Sequence, residues 1–245
     1  MDQLSTPSPA AADSAEMADA ADSAASIGPG TRTPFASAAE AEAAVRFGMW
    51  LFLISLAALF GATVVGYGVM YVQLSGRGDW PEDLPHMPSA LLLSTIILVV
   101  TSIGLERAAR SARRGADLAA RADAGAALML RRVRRDLIVA LAMGLAFLLL
   151  QAMTWMLWLR DVSWLLQDDG ARGSRFALTS FWVLTGLHAA HVIGGALPLA
   201  FESWCAFRAD RLTRHRAGTV GFTAMYWHFL GGIWLVLYAA LLVTT

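Results

Sequence analysis

The last 29 residues of the chain, 217–245, read AGTVGFTAMYWHFLGGIWLVLYAALLVTT and contain no Asp, Glu, Lys or Arg. At about 1.5 Å per residue, a helix of this length exceeds the roughly 30 Å thickness of bilayer hydrocarbon. Four more stretches without these charged residues precede it, at 47–72, 87–105, 137–159 and 176–201. Because an ionisable group in hydrocarbon costs several kcal/mol, this segregation of charge predicts an all-α membrane protein with a bundle of five transmembrane helices.

The N-terminal segment differs from the rest of the chain. Residues 1–44 are rich in Ala, Ser and Pro, are acidic, and contain almost no large apolar side chains. Such a segment buries too little surface to offset its ordering entropy, so we predict a disordered tail at 1–44 and a membrane domain at 45–245. It also lacks the apolar core of a secretory signal. The single cysteine, Cys205, excludes an intrachain disulfide and a multi-cysteine metal site.

The arginines predict the orientation. All 19 basic residues are Arg. Nine lie at 106–136, four at 202–216, and two more, Arg32 and Arg46, precede the first span. The alternate connections hold only four, which are Arg77, Arg160, Arg172 and Arg175. Since cytoplasmic loops are enriched in basic residues, we expect a bacterial inner-membrane protein with a cytoplasmic N-terminus and an external C-terminus.

The longest connection, residues 107–135, mixes Ala, Arg and Asp at helical spacing. It is predicted to be either a helix lying on the membrane surface or a solvated hairpin. Its arginines are interpreted as topology signals and contacts for anionic phospholipids, and nothing in it resembles a nucleic-acid-binding motif.

Three histidines fall within the predicted spans. His188 and His228 are expected near the bilayer midplane, close together if the last two helices are antiparallel neighbours. Three interpretations compete: haem ligation, hydrogen bonding to a neighbouring helix, and contact with a lipid headgroup or bound water. His188 and His191 leave one helix only about 60° apart, so a bis-histidine haem site would need His228. Structural hydrogen bonding is therefore the expected role.

Small residues predict close helix packing. Gly186, Ala190 and Gly194 recur every fourth residue, a stripe that lets another helix approach closely. On an ideal helix this stripe is rotated by roughly 110° from the histidine face. Gly231 and Gly232 follow His228 on its own face and leave room there for a backbone, a lipid or an inserted side chain.

Two strings point to a known family. Residues 179–195, TSFWVLTGLHAAHVIGG, and 226–238, YWHFLGGIWLVLY, resemble the signature helices of the cytochrome c oxidase subunit III family. RFGMWLFLIS at 46–55 and GLAFLLLQ at 144–151 are similar to two further helices of that family, in the same order. Five spans instead of seven match its shorter bacterial form.

This resemblance implies a non-catalytic subunit of a haem–copper terminal respiratory oxidase, docked on subunits I and II. It implies no haem or copper in this chain, those cofactors belonging to the partners, and a role in assembly, stability and sustained turnover. It also implies that a set of side chains belongs to a polar, lipid-contacting interior and that none is catalytic: His188, His191, Trp227, His228 and Arg46. The alternative is an accessory subunit of a nitric oxide reductase or another divergent oxidase.

The chain departs from the family pattern at three membrane positions. Leu56, Thr154 and Gly231 stand where the family commonly has a carboxylate. A role that depends on these acids, such as assistance with proton uptake, is therefore not expected here. An independent transporter is also disfavoured, because the spans carry no acidic or basic residue and the chain shows no internal repeat.

Overall fold

The computed structural model of the protein describes residues 38–80, 89–162 and 172–244. It contains five long α-helices, and each is long and apolar enough to span a membrane. In chain order they are α1 (Ala38–Gly76), α2 (Ala90–Ala120), α3 (Gly125–Val162), α4 (Arg172–Arg208) and α5 (Arg214–Thr244). The prediction of an all-helical protein with five membrane-spanning helices is confirmed, while the sidedness of the termini stays a prediction.

The chain divides into two compact units after Gly48. In the first unit, α1 already begins at Ala38, before the predicted start of the membrane domain at Val45. Glu42 and Arg46 form an exposed ion pair of 3.3 Å on successive turns of this helix. The remainder of the predicted tail, residues 1–37, lies outside the described part of the chain.

In the second unit, four helices form a ring in which α2 contacts α3 and α5, and α4 contacts α3 and α5. Large apolar side chains fill its centre, among them Leu98, Leu137, Phe147, Trp227 and Trp234. Because the ring is closed, each of the four helices buries side chains against two neighbours. The part of α1 after Gly48 adds a second cluster, in which its buried residues Leu56, Phe60 and Tyr67 lie with side chains of α4 and α5.

The arginine-rich segment 107–135 is a helical hairpin and not a separate surface helix. At 31 residues, α2 measures about 46 Å, some 15 Å more than the hydrocarbon thickness. A short turn then leads directly into α3. In this turn Ala122 has a φ of 55°, and the Asp123 carboxylate accepts a hydrogen bond from the backbone N–H of Gly125 at 2.7 Å. Of the two predictions for this segment, the hairpin is confirmed and the surface helix is wrong.

Small side chains hold the hairpin together beyond the charge-free stretch 87–105. The inner face of α2 there is made of buried small residues, which are Ala108, Ala109, Ala112, Gly115 and Ala116. A Cβ atom on Gly115 would lie 2.8 Å from the Cβ of Met129 on α3, so only glycine allows this approach. The arginines Arg107, Arg110, Arg113 and Arg114 occupy the exposed positions between the small residues.

Two other arginines close the same end of the bundle. The Arg134 guanidinium donates hydrogen bonds to the carbonyls of Ala206 and Ala209 at 2.9 and 2.8 Å. Arg216 donates to the carbonyl of Cys205 at 2.6 Å. The last carbonyls of a helix lack intrahelical partners and carry partial negative charge, so these cations stabilise the end of α4.

Candidate functional site

The polar interior lies where α4 faces α5, α3 and α1. His188 is only 1% exposed, and its ring stacks on Trp234 with centroids 5.3 Å apart. The rings of Phe60 and Phe147 meet it edge-on at 6.3 and 6.4 Å. Neither ring nitrogen has a hydrogen-bond partner among the residues that the structure describes. His188 is therefore enclosed by aromatic side chains of three other helices and has no surface for a lipid.

His191 stands one turn further along α4 and is half-buried. Its Nδ1 lies 2.8 Å from the carbonyl oxygen of Leu187, to which the protonated nitrogen donates. The ring of Phe60 meets it at 5.2 Å. A single phenylalanine of α1 thus touches both histidines of α4.

Two aromatic side chains of α5 make close contacts with α3 and α4. Tyr226 donates its hydroxyl to the carbonyl of His191 at 3.0 Å, and Trp227 donates its indole N–H to the carbonyl of Gly195 at 3.2 Å. A Cβ on Gly195 would lie 2.6 Å from the Tyr226 ring, and one on Gly144 would lie 2.8 Å from the Trp227 ring. Glycine at these two positions is therefore what allows α5 to pack against α3 and α4.

The predicted small-residue stripe of α4 has a different environment. A Cβ added to Gly186 or Gly194 would find no atom of a neighbour within 4 Å, and Ala190 is exposed. The stripe therefore makes no close helix contact in the described part of this chain. Sequence reasoning missed Gly144 and Gly195, although the string HVIGG already placed the second of them beside Gly194.

His228 does not join the other histidines. It is 46% exposed, and its Nε2 lies 3.6 Å from the Glu106 carboxylate of α2. Glu106 also accepts a hydrogen bond of 2.8 Å from Arg110. The expected pairing of His188 with His228 is not what the structure shows, because the inward face of α5 is taken by Trp227, Leu230 and Trp234. His228 instead lies beside Glu106, the first charged residue of α2 after the charge-free stretch 87–105.

At the three positions where the family commonly has a carboxylate, this chain has an apolar or a neutral residue with its own contacts. Leu56 is buried in the apolar cluster along α1, and Thr154 donates its hydroxyl to the carbonyl of Leu150 at 2.8 Å. A Cβ on Gly231 would lie 3.6 Å from the Ser102 hydroxyl of α2. Within the described ranges there is also no cluster of three or more His, Cys, Asp or Glu side chains able to hold a metal ion.

Comparisons with a family model and with individual known proteins indicate the same family. A family model described as cytochrome c oxidase subunit III matches residues 34–244. A cytochrome c oxidase subunit 3 from Thermostichus vulcanus is 27% identical over 200 residues, covering 81% of this chain and 86% of that protein. The subunits 3 of Lemur catta and Tragelaphus imberbis are both 29% identical, covering 80% of this chain and 65% and 68% of theirs. The chain belongs to the cytochrome c oxidase subunit III family.

Proposed function

We propose that this chain is a non-catalytic membrane subunit that docks on subunits I and II of a haem–copper terminal oxidase in the bacterial inner membrane. The observation that carries the proposal is the family match over residues 34–244, which spans all five helices. In this proposal the partner subunits hold the haem and copper, and this subunit supports assembly, stability and sustained turnover.

The polar interior is proposed to be structural. His188, His191 and Trp227 lie where α4 meets α1, α3 and α5, and their contacts are with aromatic rings and backbone carbonyls. The ring contacts and the Trp227 hydrogen bond join α4 to α1, α3 and α5, whereas the hydrogen bond of His191 stays within α4. Contacts between helices are what an accessory subunit needs to keep one shape during turnover. Arg46, which pairs with Glu42 on an exposed helix surface, is proposed to contact phospholipid headgroups.

The stripe of Gly186, Ala190 and Gly194 is proposed to pack against a helix of the large subunit. It lies on the outside of α4, flanked by the exposed side chains of Ile193 and Leu197. Small residues permit close backbone approach between membrane helices, where association depends on van der Waals packing and not on the hydrophobic effect. An outward stripe of this kind suits close packing against a helix outside the described part of this chain.

The arginine-rich end of the bundle is proposed to face the cytoplasm. The α2–α3 turn and the α4–α5 connection lie at one end of the bundle, because the side chain of Leu212 packs against Gly115. At the other end, Tyr67 and Trp80 contact Thr244 through hydrogen bonds of 2.6 and 3.2 Å. Fifteen of the 19 arginines lie in the α2–α3 hairpin, in the α4–α5 connection or in the N-terminal segment. Because cytoplasmic loops are enriched in basic residues, this distribution supports a cytoplasmic location for that end.

The test is purification through an affinity tag on this chain in mild detergent. We expect subunits I and II to co-purify, with haem absorbance and oxygen consumption in the complex, whereas the isolated chain should be colourless. Stoichiometric haem on the isolated chain would contradict the proposal. A complex that reduces nitric oxide but not oxygen would support the alternative, a subunit of a nitric oxide reductase.

A further inference from the structure

Four side chains on α3 and α4 carry buried polar atoms without a hydrogen-bond partner among the residues that the structure describes. They are Gln151, Trp155 and Trp158 on α3 and His188 on α4. Gln151 is only 3% exposed, and both polar atoms of its amide are unpaired, as are both ring nitrogens of His188. An unpaired buried donor or acceptor costs its full desolvation free energy, so protein interiors pair such atoms with other groups or with ordered water.

The aromatic contacts between α3 and α4 place Gln151 beside His188. The ring centroids of Phe147 and His188 lie 6.4 Å apart. Those of Trp155 and Phe181 lie 6.3 Å apart. The order of these contacts is reversed between the two helices, so α3 and α4 run antiparallel. Phe147, Gln151 and Trp155 follow one another at intervals of four residues and share one face of α3. Gln151 therefore faces α4 at a level between Phe181 and His188.

The side chains of Gln151 and His188 lean towards each other. The Cα–Cβ bond of a helical residue is tilted towards the N-terminus of its own helix. On α3 this direction leads from Gln151 towards the level of His188, and on the antiparallel α4 it leads from His188 towards the level of Gln151. The two side chains make no direct hydrogen bond. A single water that bonds to both joins polar atoms about 5–6 Å apart.

A third polar group lies at the same level. Thr185 stands one turn before His188 on α4 and is fully buried. Its hydroxyl donates to the carbonyl of Phe181 at 2.7 Å, so its oxygen remains able to accept a hydrogen bond. The surroundings are apolar rings, since Phe60 meets His188 edge-on at 6.3 Å and Trp234 stacks on it at 5.3 Å. The polar atoms are thus gathered in one small region that aromatic side chains enclose.

We propose that Gln151, Thr185 and His188 bind at least one ordered water molecule between α3 and α4. A buried water makes about three hydrogen bonds, which is the number that these side chains supply. The amide N–H of Gln151 donates to the water oxygen, and the water donates to the unprotonated ring nitrogen of His188 and to the Thr185 hydroxyl oxygen. The water joins two helices through side chains that do not bond directly, and it holds the imidazole in place against Trp234. The inference holds whichever partner subunits the chain has.

The first experiment detects the water in the folded protein. The full-length chain is purified in mild detergent with the subunits that accompany it. A short synchrotron X-ray pulse then converts bound water into hydroxyl radicals, which oxidise the nearest side chains. We expect oxidation of His188 or Phe147, although both are 1% exposed. Trp227 is the buried control, because it is 0% exposed and its indole N–H is already bonded to a carbonyl at 3.2 Å. After rapid dilution into heavy-oxygen water, His188 should take up the heavy isotope later than the exposed His215.

Two variants make the footprint specific. Gln151→Leu removes one hydrogen bond to the water, so oxidation of His188 should fall by about twofold to tenfold. Ser203→Ala is the matched control, because this hydroxyl is also buried on α4 but lies about four turns beyond His188. It should leave the oxidation of His188 unchanged. The proposal is overturned if His188 and Phe147 of the parent protein are as unreactive as Trp227, or if Gln151→Leu is oxidised at His188 as much as the parent.

The second experiment measures whether the two side chains are coupled. Thermal unfolding of the same preparation is followed for Gln151→Leu, for His188→Leu and for the double variant. If one water bonds to both side chains, each single change leaves the other short of a partner, so the fall in Tm of the double variant should be smaller than the sum of the two single falls. The effects of Gln151→Leu and Ser203→Ala should add. Additive effects at Gln151 and His188 would refute a shared water, and coupling without oxidation of His188 or Phe147 would indicate a direct hydrogen bond and refute it equally.

Discussion

Gly194 and Gly195 are neighbours on α4 with opposite environments, which makes them a matched pair for testing the packing. A Cβ on Gly195 would lie 2.6 and 3.0 Å from two ring carbons of Tyr226, and 3.5 Å from Leu230. The ring has little freedom to move away, because its hydroxyl is bonded to the carbonyl of His191 at 3.0 Å. On Gly194 the same methyl group would meet nothing within 4 Å.

The expected free-energy changes follow from these distances. For Gly195→Ala, overpacking costs about 1–3 kcal/mol, and weakening the Tyr226 hydrogen bond costs about 0.5–1.5 kcal/mol more. Replacing glycine by alanine within a helix stabilises that helix by about 0.5–1 kcal/mol, which offsets part of this cost. The net loss is therefore about 2 kcal/mol. In Gly194→Ala only the gain in helix propensity applies, so this change should leave the free energy of unfolding unchanged or raise it slightly.

Thermal unfolding of the purified subunit in detergent, followed by tryptophan fluorescence, measures the difference. A loss of about 2 kcal/mol corresponds to a fall of about 4–8 °C in Tm for a chain of this size. If the ring of Tyr226 is the obstacle, Tyr226→Ala combined with Gly195→Ala should be less destabilising than the sum of the two single changes. Equal Tm values for Gly194→Ala and Gly195→Ala would refute this account of the packing.

Three further predictions concern the outer face, the orientation and the end of the bundle. Ala190→Leu should leave the Tm of the isolated subunit unchanged but lower its co-purification with the large subunit, and normal assembly would argue against a docking role for the stripe. In a background without the native cysteine, an impermeant thiol reagent should label Ser75→Cys but not Ala124→Cys in intact spheroplasts, and the reverse pattern would invert the topology. Arg134→Gln should destabilise the subunit by about 1–3 kcal/mol through loss of two charge-assisted hydrogen bonds to the end of α4, whereas the exposed Arg131→Gln should be nearly neutral in the same unfolding assay.

The number of spanning helices and the family could be predicted from the sequence because both depend on local properties of the chain. The free energy of transferring a charge-free stretch of 19 residues or more into hydrocarbon depends on the side chains of that stretch and not on the helices that pack around it. The strings at 179–195 and 226–238 identify the family in the same local way. The helix ends could not be read from that signal. The first charged residue indicates where an apolar stretch ends, and not where its helix ends. Because Ala and Arg are good helix formers, α2 continues through the arginine-rich segment to Ala120.

The arrangement of the site was decided by the tertiary structure. Gly194 and Gly195 look alike in the sequence, and only the position of Tyr226 on another helix makes a side chain at residue 195 costly and one at residue 194 tolerable. His228 was expected near His188, yet its neighbour is Glu106, which lies 122 positions away on a helix that outruns its charge-free stretch. Periodicity specifies which residues of a helix share a face, because that angle is set by the helix itself. It does not specify which helix the face meets, because that depends on the rotation and depth at which all the helices pack together.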